Sequence, residues 1–193
     1  MPGPLKGLRI LDFTTLLPGP YATMMMADMG AEVLRVLSNS YPDMAAFLPP
    51  FLSGSDLSCN LAYLGRGKRC LNLNLKMTSA IEIVHKLITK YDIIIEQFRP
   101  GIMAKLGLGY EDLKTVNSSL IYCSLTGYGQ TGPLQGRAGH DINYLACSGL
   151  MDSGVPTIPP VRVSLASNTA RTIPKSTSVT WPSLRTKMLA GLT

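Results

Sequence analysis

The sequence is poor in histidine, in charge and, toward its end, in acid. Only two histidines, His85 and His140, occur in 193 residues, and charged residues make up 16%. No Asp or Glu follows Asp152. No apolar run approaches the roughly 18 to 20 residues that span a bilayer, so no association with a membrane is expected. The opening "MPGPLKGLRI" has no apolar core behind its charge. A secretory leader is therefore not expected, and a cytoplasmic location is. The four cysteines, Cys59, Cys70, Cys123 and Cys147, make no C-x-x-C and no zinc-ligand spacing. Reduced, buried thiols without a metal are the expectation.

What is present is globular. Hydrophobic residues reach 46%, enough for a real core in one domain of ordinary size. The net charge of +6 invites a nucleic-acid partner, but its distribution argues against one. Residues 1–152 carry 13 Lys and Arg against 12 Asp and Glu, whereas residues 153–193 carry five cations and no acid. The excess belongs to one end of the chain.

Apolar runs mark strands at Gly7–Phe13, Ala31–Leu37, Asp92–Phe98 and Ser119–Thr126. The last-but-one has a continuous Ile run, as in a strand buried on both faces. Period-two alternation predicts a further strand over Arg69–Lys76. Between them lie helical patterns. Pro18 and Pro20 suit the first turn of a Met-rich helix that Gly30 ends. Thr78 or Ser79 can cap a helix whose stripe holds Ile81, Val84 and Ile88. Two short helices broken at Gly107 and Gly109 are expected, and helical spacing resumes at His140. Residues 38–60, with Pro42, Pro49, Pro50 and Gly54, read as an irregular excursion. Alternating strands and helices predict an α/β fold with a Rossmann-like, doubly wound, mostly parallel sheet. Ligands then sit outside the carboxyl ends of the strands.

Gly127, Gly129 and Gly132 match G-x-G-x-x-G after a predicted strand. A dinucleotide fingerprint must open directly into a helix, and Pro133, Gly136 and Gly139 keep this chain irregular. Dinucleotide binding is accordingly set aside. His140 opens a predicted helix. The positive end of the helix dipole favours a neutral imidazole, which a general base requires. Asp141 has a structural alternative as the cap of that helix. His85 lies mid-helix and reads as structural. Arg66, Lys68, Arg69, Lys76 and Arg99 lie near predicted strand ends, where cations suit a phosphate-bearing ligand.

Five blocks, "GLRILDFTTLLPGPYATMMMADMGAEVLRV", "LGRGKRCLNLNLK", "IIIEQFRPGIMAKLGLGYEDL", "LIYCSLTGYGQTGP" and "AGHDINYLACSG", occur in the order found in the family III CoA-transferases, the CaiB/BaiF family. The last block most resembles the α-methylacyl-CoA racemase branch. The resemblance covers roughly residues 5–161. It implies an acyl-CoA-binding, Rossmann-like large domain and usually a homodimer, with coenzyme A as part of the substrate and no separate cofactor. It implies that Leu73, Asn74, Leu75 and Lys76 contact the CoA moiety, more weakly that Arg99 does, and that Gly139, His140, Asp141, Ile142, Asn143 and Tyr144 line the acyl-CoA site. His140 would be one proton-transfer residue.

Racemisation removes the α-proton of a thioester on one face and returns it on the other, through an enolate that nearby donors must stabilise. Two opposed acid/base groups are needed. The family's partner to the histidine is an aspartate shortly downstream, in a segment resembling "LADFAGG". Here "RVSLASNTARTIP" stands there, with Ser167 or a neighbour at the aspartate's place. The family also often has a second arginine, contacting the CoA nucleotide, where this chain has Ser38. Of the 24 residues from Ser164 to Lys187, ten are Ser or Thr. Residues 1–161 are therefore expected to form the first part of a CoA-binding domain, and residues 162–193 an atypical basic tail of the kind a frameshift or truncated gene gives. Three functions stay open: epimerisation of 2-methylacyl-CoA, CoA transfer between carboxylic acids through an aspartyl intermediate, and an inactive fragment that at most binds CoA.

Overall fold

The computed structural model describes residues 3–148. Residues up to Arg137 form one compact unit, and Ala138 begins a second. The expected boundary at 161/162 lies outside the described residues, as do Asp152, Ser167 and the Ser/Thr-rich stretch.

The first unit carries five parallel strands: β1 (Arg9–Asp12), β2 (Glu32–Leu37), β3 (Lys68–Asn72), β4 (Ile93–Glu96) and β5 (Ile121–Ser124). Their order is β3-β2-β1-β4-β5. The fold is thus the expected Rossmann-like α/β arrangement, with its topological switch point between β1 and β4. Register follows the apolar pattern: Leu11 pairs with Leu34 on one side and with Ile94 on the other. Alternation sends Leu11 and Ile94 to one face, with Val84, Ile88, Leu108 and Leu113. Ile10, Val33 and Ile95 go to the other face, with Ala31.

The helices are α1 (Pro18–Asp28), α2 (Cys59–Gly65), α3 (Thr78–Ile88), α4 (Ile102–Lys105) and α5 (Tyr110–Leu113), with a 3₁₀ turn at Met44–Phe47. Pro18 begins α1. Gly30 ends it in the left-handed region at φ +100°, where Ala31 N–H reaches back to the Met26 carbonyl. In α3 the buried positions Ala80, Val84 and Ile88 recur every fourth residue.

Four sequence expectations need correction. The excursion over 38–60 holds the 3₁₀ turn and runs into α2, which follows two prolines and carries only Leu64 as a buried anchor. Strand β3 stops at Asn72, although alternation continues to Lys76. Neither Thr78 nor Ser79 caps α3; Met77 is the N-cap and makes no side-chain bond. The thiols are free but not buried: Cys70, Cys123 and Cys147 are exposed and Cys59 is half-buried. Among the described residues no helix is long and apolar enough to cross a membrane.

Burial ranks the strands' contributions. Ile94 is 0% exposed, whereas Ile121 on the edge strand is 59% exposed. Ile94→Ala is expected to cost roughly 2–5 kcal/mol of unfolding free energy, and Ile121→Ala under about 0.5 kcal/mol. Urea titration of both variants checks the ranking.

Candidate functional site

At the carboxyl edge, β1 ends on a buried carboxylate. Asp12 is 0% exposed. Its Oδ1 accepts the backbone N–H of Thr14 at 2.9 Å and the Thr14 hydroxyl at 2.5 Å. Its Oδ2 accepts the Thr23 hydroxyl at 2.5 Å. Lys68 Nζ, with no exposed side-chain surface, donates to Thr23 Oγ1 at 2.6 Å and to the Pro20 carbonyl at 2.8 Å, 3.5 Å from Asp12 Oδ2. Burial pulls Lys68 below the usual lysine range, and the Asp12 charge opposes that shift.

A second buried pair, Arg35 and Asp43, lies alongside. Gln97, just past β4, crosses the switch point to donate to Thr15 Oγ1 at 3.0 Å. Its Oε1 is buried without a partner among the described residues. Glu96 ends β4, is 4% exposed, and accepts the Phe98 N–H at 2.7 Å, which fixes the turn leading to Arg99.

The expected cations separate into two groups. Arg66 is tied to Asp28 at 2.5 Å and lies over the Tyr63 ring at 4.4 Å. Arg69 pairs with Glu32. With the buried Lys68, these three are occupied and do not wait for a phosphate. Lys76 and Arg99 remain exposed at the carboxyl edge. Lys76 Nζ touches the Tyr41 hydroxyl at 3.2 Å and stands 5.0 Å from that ring's centre. Arg99 borders a shallow depression with Gly101, Ile102, Gln130 and Gln135. No sequence pattern distinguished those two glutamines; the fold of the 125–137 loop brings them there.

Around Lys76, Leu73 is buried in the core and Leu75 packs against it, while Asn74 is exposed and accepts the Lys76 N–H at 3.2 Å. The exposed side chains of this turn are therefore Asn74 and Lys76, with Leu73 buried beneath them. Lys76 follows β3 and Arg99 follows β4, three strand positions apart. At about 4.8 Å per strand that separation is roughly 14 Å, a span for an extended ligand. Ser38, after β2, accepts the Tyr41 N–H at 3.3 Å.

Two features speak against a dinucleotide pyrophosphate. Helix α1 opens Pro18-Gly19-Pro20, so two of its first three residues have no N–H to offer. After β5 the glycine loop turns through Gly129 and Gly132 at φ +84° and +91°, and no helix opens there.

In the second unit, α6 (Asp141–Cys147) starts at His140, its N-cap. The His140 N–H donates to Asn143 Oδ1 at 2.9 Å. Asn143 therefore caps the helix, and the capping role considered for Asp141 falls away; Asp141 Oδ2 is buried without a partner among the described residues. A Cβ on Gly139 would sit 2.7 Å from the Tyr144 hydroxyl, so the ring packs directly over this glycine. Ile142 is 37% exposed, Asn143 exposed and Tyr144 half-buried. The backbone that delivers His140 is as the sequence led one to expect. His85 is structural: its Nε2 bonds the Gly107 carbonyl at 3.0 Å.

The comparisons agree with this fold. Residues 5–169 match the CoA-transferase family III model. The chain belongs to CoA-transferase family III. A succinyl-CoA:glutarate CoA-transferase of Mus musculus is 41% identical over 165 residues, covering 84% of this chain and 37% of that protein. An alpha-methylacyl-CoA racemase of Mus musculus is 38% identical over 163 residues, covering 82% and 38%. Among solved structures, a CAIB/BAIF family protein from Brucella suis matches with TM-score 0.78 at 34% identity, covering 86% of this chain and 45% of that one. The chain thus spans less than half the length of these relatives. Transferase and racemase names stand at near-equal identity, so similarity alone does not single out the racemase branch.

Burial raises the Glu96 carboxyl above its ordinary value of 4.5, against opposing hydrogen bonds from Ser124 and the Phe98 amide. The folded chain then holds this proton more tightly than the unfolded chain. The stability it contributes is full below pH 4.5 and is lost as pH rises through the raised folded value. Urea titrations across that window are expected to show this decline, and Glu96→Gln, which keeps an oxygen for Phe98, to remove it.

Proposed function

We propose that the chain binds an acyl-CoA thioester along the carboxyl edge of its sheet and belongs to an enzyme that epimerises 2-methylacyl-CoA. In this reading Lys76, Asn74 and Arg99 hold the CoA moiety, Lys76 and Arg99 as charge-assisted donors to its phosphates. For His140, with Gly139 and Asp141 to Tyr144, the family resemblance supports a role at the acyl thioester. What supports this reading is the histidine at the start of α6: it is the N-cap, its side chain is exposed, and its backbone N–H is held by Asn143 Oδ1.

The chemistry is a proton taken from the α-carbon by the imidazole, an enolate, and a proton returned from the opposite face. Backbone or side-chain donors near the thioester oxygen would lower the enolate's energy. The second proton carrier is an acid that residues 153–193 do not contain. On its own the 193-residue chain is therefore proposed to bind acyl-CoA and to move the α-proton on one face only. The active assembly is proposed to be a homodimer in the cytoplasm.

CoA transfer between carboxylic acids is the second reading, favoured by the 41% identity to a relative named as a succinyl-CoA:glutarate CoA-transferase. Incubating the chain with 2-methylacyl-CoA in D2O separates the two. Deuterium at the α-carbon without an acceptor acid, lost in His140→Ala by about 10²-fold or more, supports proton abstraction. Acyl exchange that needs an acceptor acid, with no deuterium gained, supports transfer. CoA that binds with neither reaction leaves a binding fragment.

A further inference from the structure

Leu16 has a backbone that its sequence does not explain. It lies in the loop from β1 to α1, beside the switch point, at φ +61°, the only described non-glycine residue with a positive φ. A leucine is disfavoured there because its Cβ crowds the following carbonyl. Strain of this kind persists only where the surroundings enforce it, and such positions cluster at ligand sites.

The enforcing group is visible. Both carboxylate oxygens of Asp43 face the Leu16 N–H, at 3.0 and 3.2 Å. Oδ1 also accepts the Ala45 N–H at 2.9 Å, which starts the 3₁₀ turn. Oδ2 pairs with the Arg35 guanidinium. Arg35 Nη2 in turn faces the Thr14 carbonyl at 3.4 Å. Arg35 and Asp43, 1% and 6% exposed, therefore hold the same loop at two points, the Thr14 carbonyl and the Leu16 amide. On its remaining side the loop meets α1 so closely that a Cβ on Gly19 would lie 2.3 Å from Thr14 Cβ. Leu16, 46% exposed, is presented from this braced loop.

We propose that Asp43 is a positioning residue: with Arg35 it clamps the β1–α1 loop so that Leu16 is fixed beside the crevice in which the acyl-CoA ligand binds. The inference rests on the proposed ligand only in its second half. The clamp is a property of the free protein. Fixing the loop before the ligand arrives removes an ordering cost from binding.

The test uses the whole 193-residue chain as wild type, Asp43→Asn and Asp43→Ala. Three quantities are read: hydrogen exchange of the Leu16 amide by NMR, the urea midpoint, and the Kd for CoA by calorimetry. In wild type the Leu16 amide is expected to be protected although no backbone carbonyl accepts it. In Asp43→Ala that protection is lost while Ile10 to Asp12 stay protected, and the Kd rises about tenfold. Asp43→Asn, which keeps one acceptor oxygen, falls between and decides the matter should Asp43→Ala not fold. An unprotected Leu16 amide in folded wild type overturns the clamp. Lost protection with unchanged Kd overturns the positioning role, as does a Kd that moves only in proportion to the urea midpoint. Wild type that does not bind CoA overturns the proposed ligand, and with it the positioning role, while the exchange data still decide whether the clamp exists.

Discussion

The carboxyl edge of this sheet depends on charges kept out of water. Asp12 with Lys68, and Asp43 with Arg35, place four ionic groups in the interior beneath a single loop. Burying an ion costs several kcal/mol even after relaxation, and good pairing only roughly offsets it. These pairs are therefore poor explanations of stability and good explanations of geometry. Each charge has few acceptable positions once its partner is fixed. The loop from Thr14 to Pro18 inherits that restriction, because Asp12, Arg35 and Asp43 all bond to it.

The restriction passes along the edge. Asp12 ties the end of β1 to Thr23 on α1, and through Lys68 to the start of β3. Gln97 ties the loop after β4 back to Thr15, and Glu96 fixes the turn into Arg99. A continuous polar frame thus runs beneath the ends of the central strands, with Lys76 and Arg99 exposed on either side of it. The helix start that would hold a pyrophosphate in a dinucleotide fold is stripped of amides by Pro18 and Pro20. The frame therefore suits a ligand held by side chains along the edge rather than by one helix end.

Much of the fold was legible because the strands write themselves in apolar runs. The apolar residues of "RILD", "EVLRVL" and "IIIE" are buried or half-buried, and their spacing around helical stripes points to a parallel sheet. The breaks at Gly107 and Gly109 were equally plain. What failed did so for local reasons. The alternation of "RCLNLNLK" persists past Asn72 because Leu73 and Leu75 still pack on the core after the strand has ended. Helix α2 has too few buried positions to leave a stripe. Lys68 read as a ligand cation because nothing in "GRGKR" tells which of its cations folds inward; Asp12, 56 residues earlier, decides that. Leu16 and Asp43 were silent for the same reason, since a clamp between residues 27 apart leaves no periodic trace. The ligand residues around His140 and Lys76 came from family resemblance, not from pattern.

The proposed binding surface is the carboxyl edge, and not a side of the sheet. Hydrogen-exchange mass spectrometry of the chain with and without saturating CoA tests it most directly. Slowed exchange is expected in peptides covering residues 13–18, 73–77 and 97–101, with α3 unchanged. Protection confined to α3 or to the amino ends of the strands would contradict it.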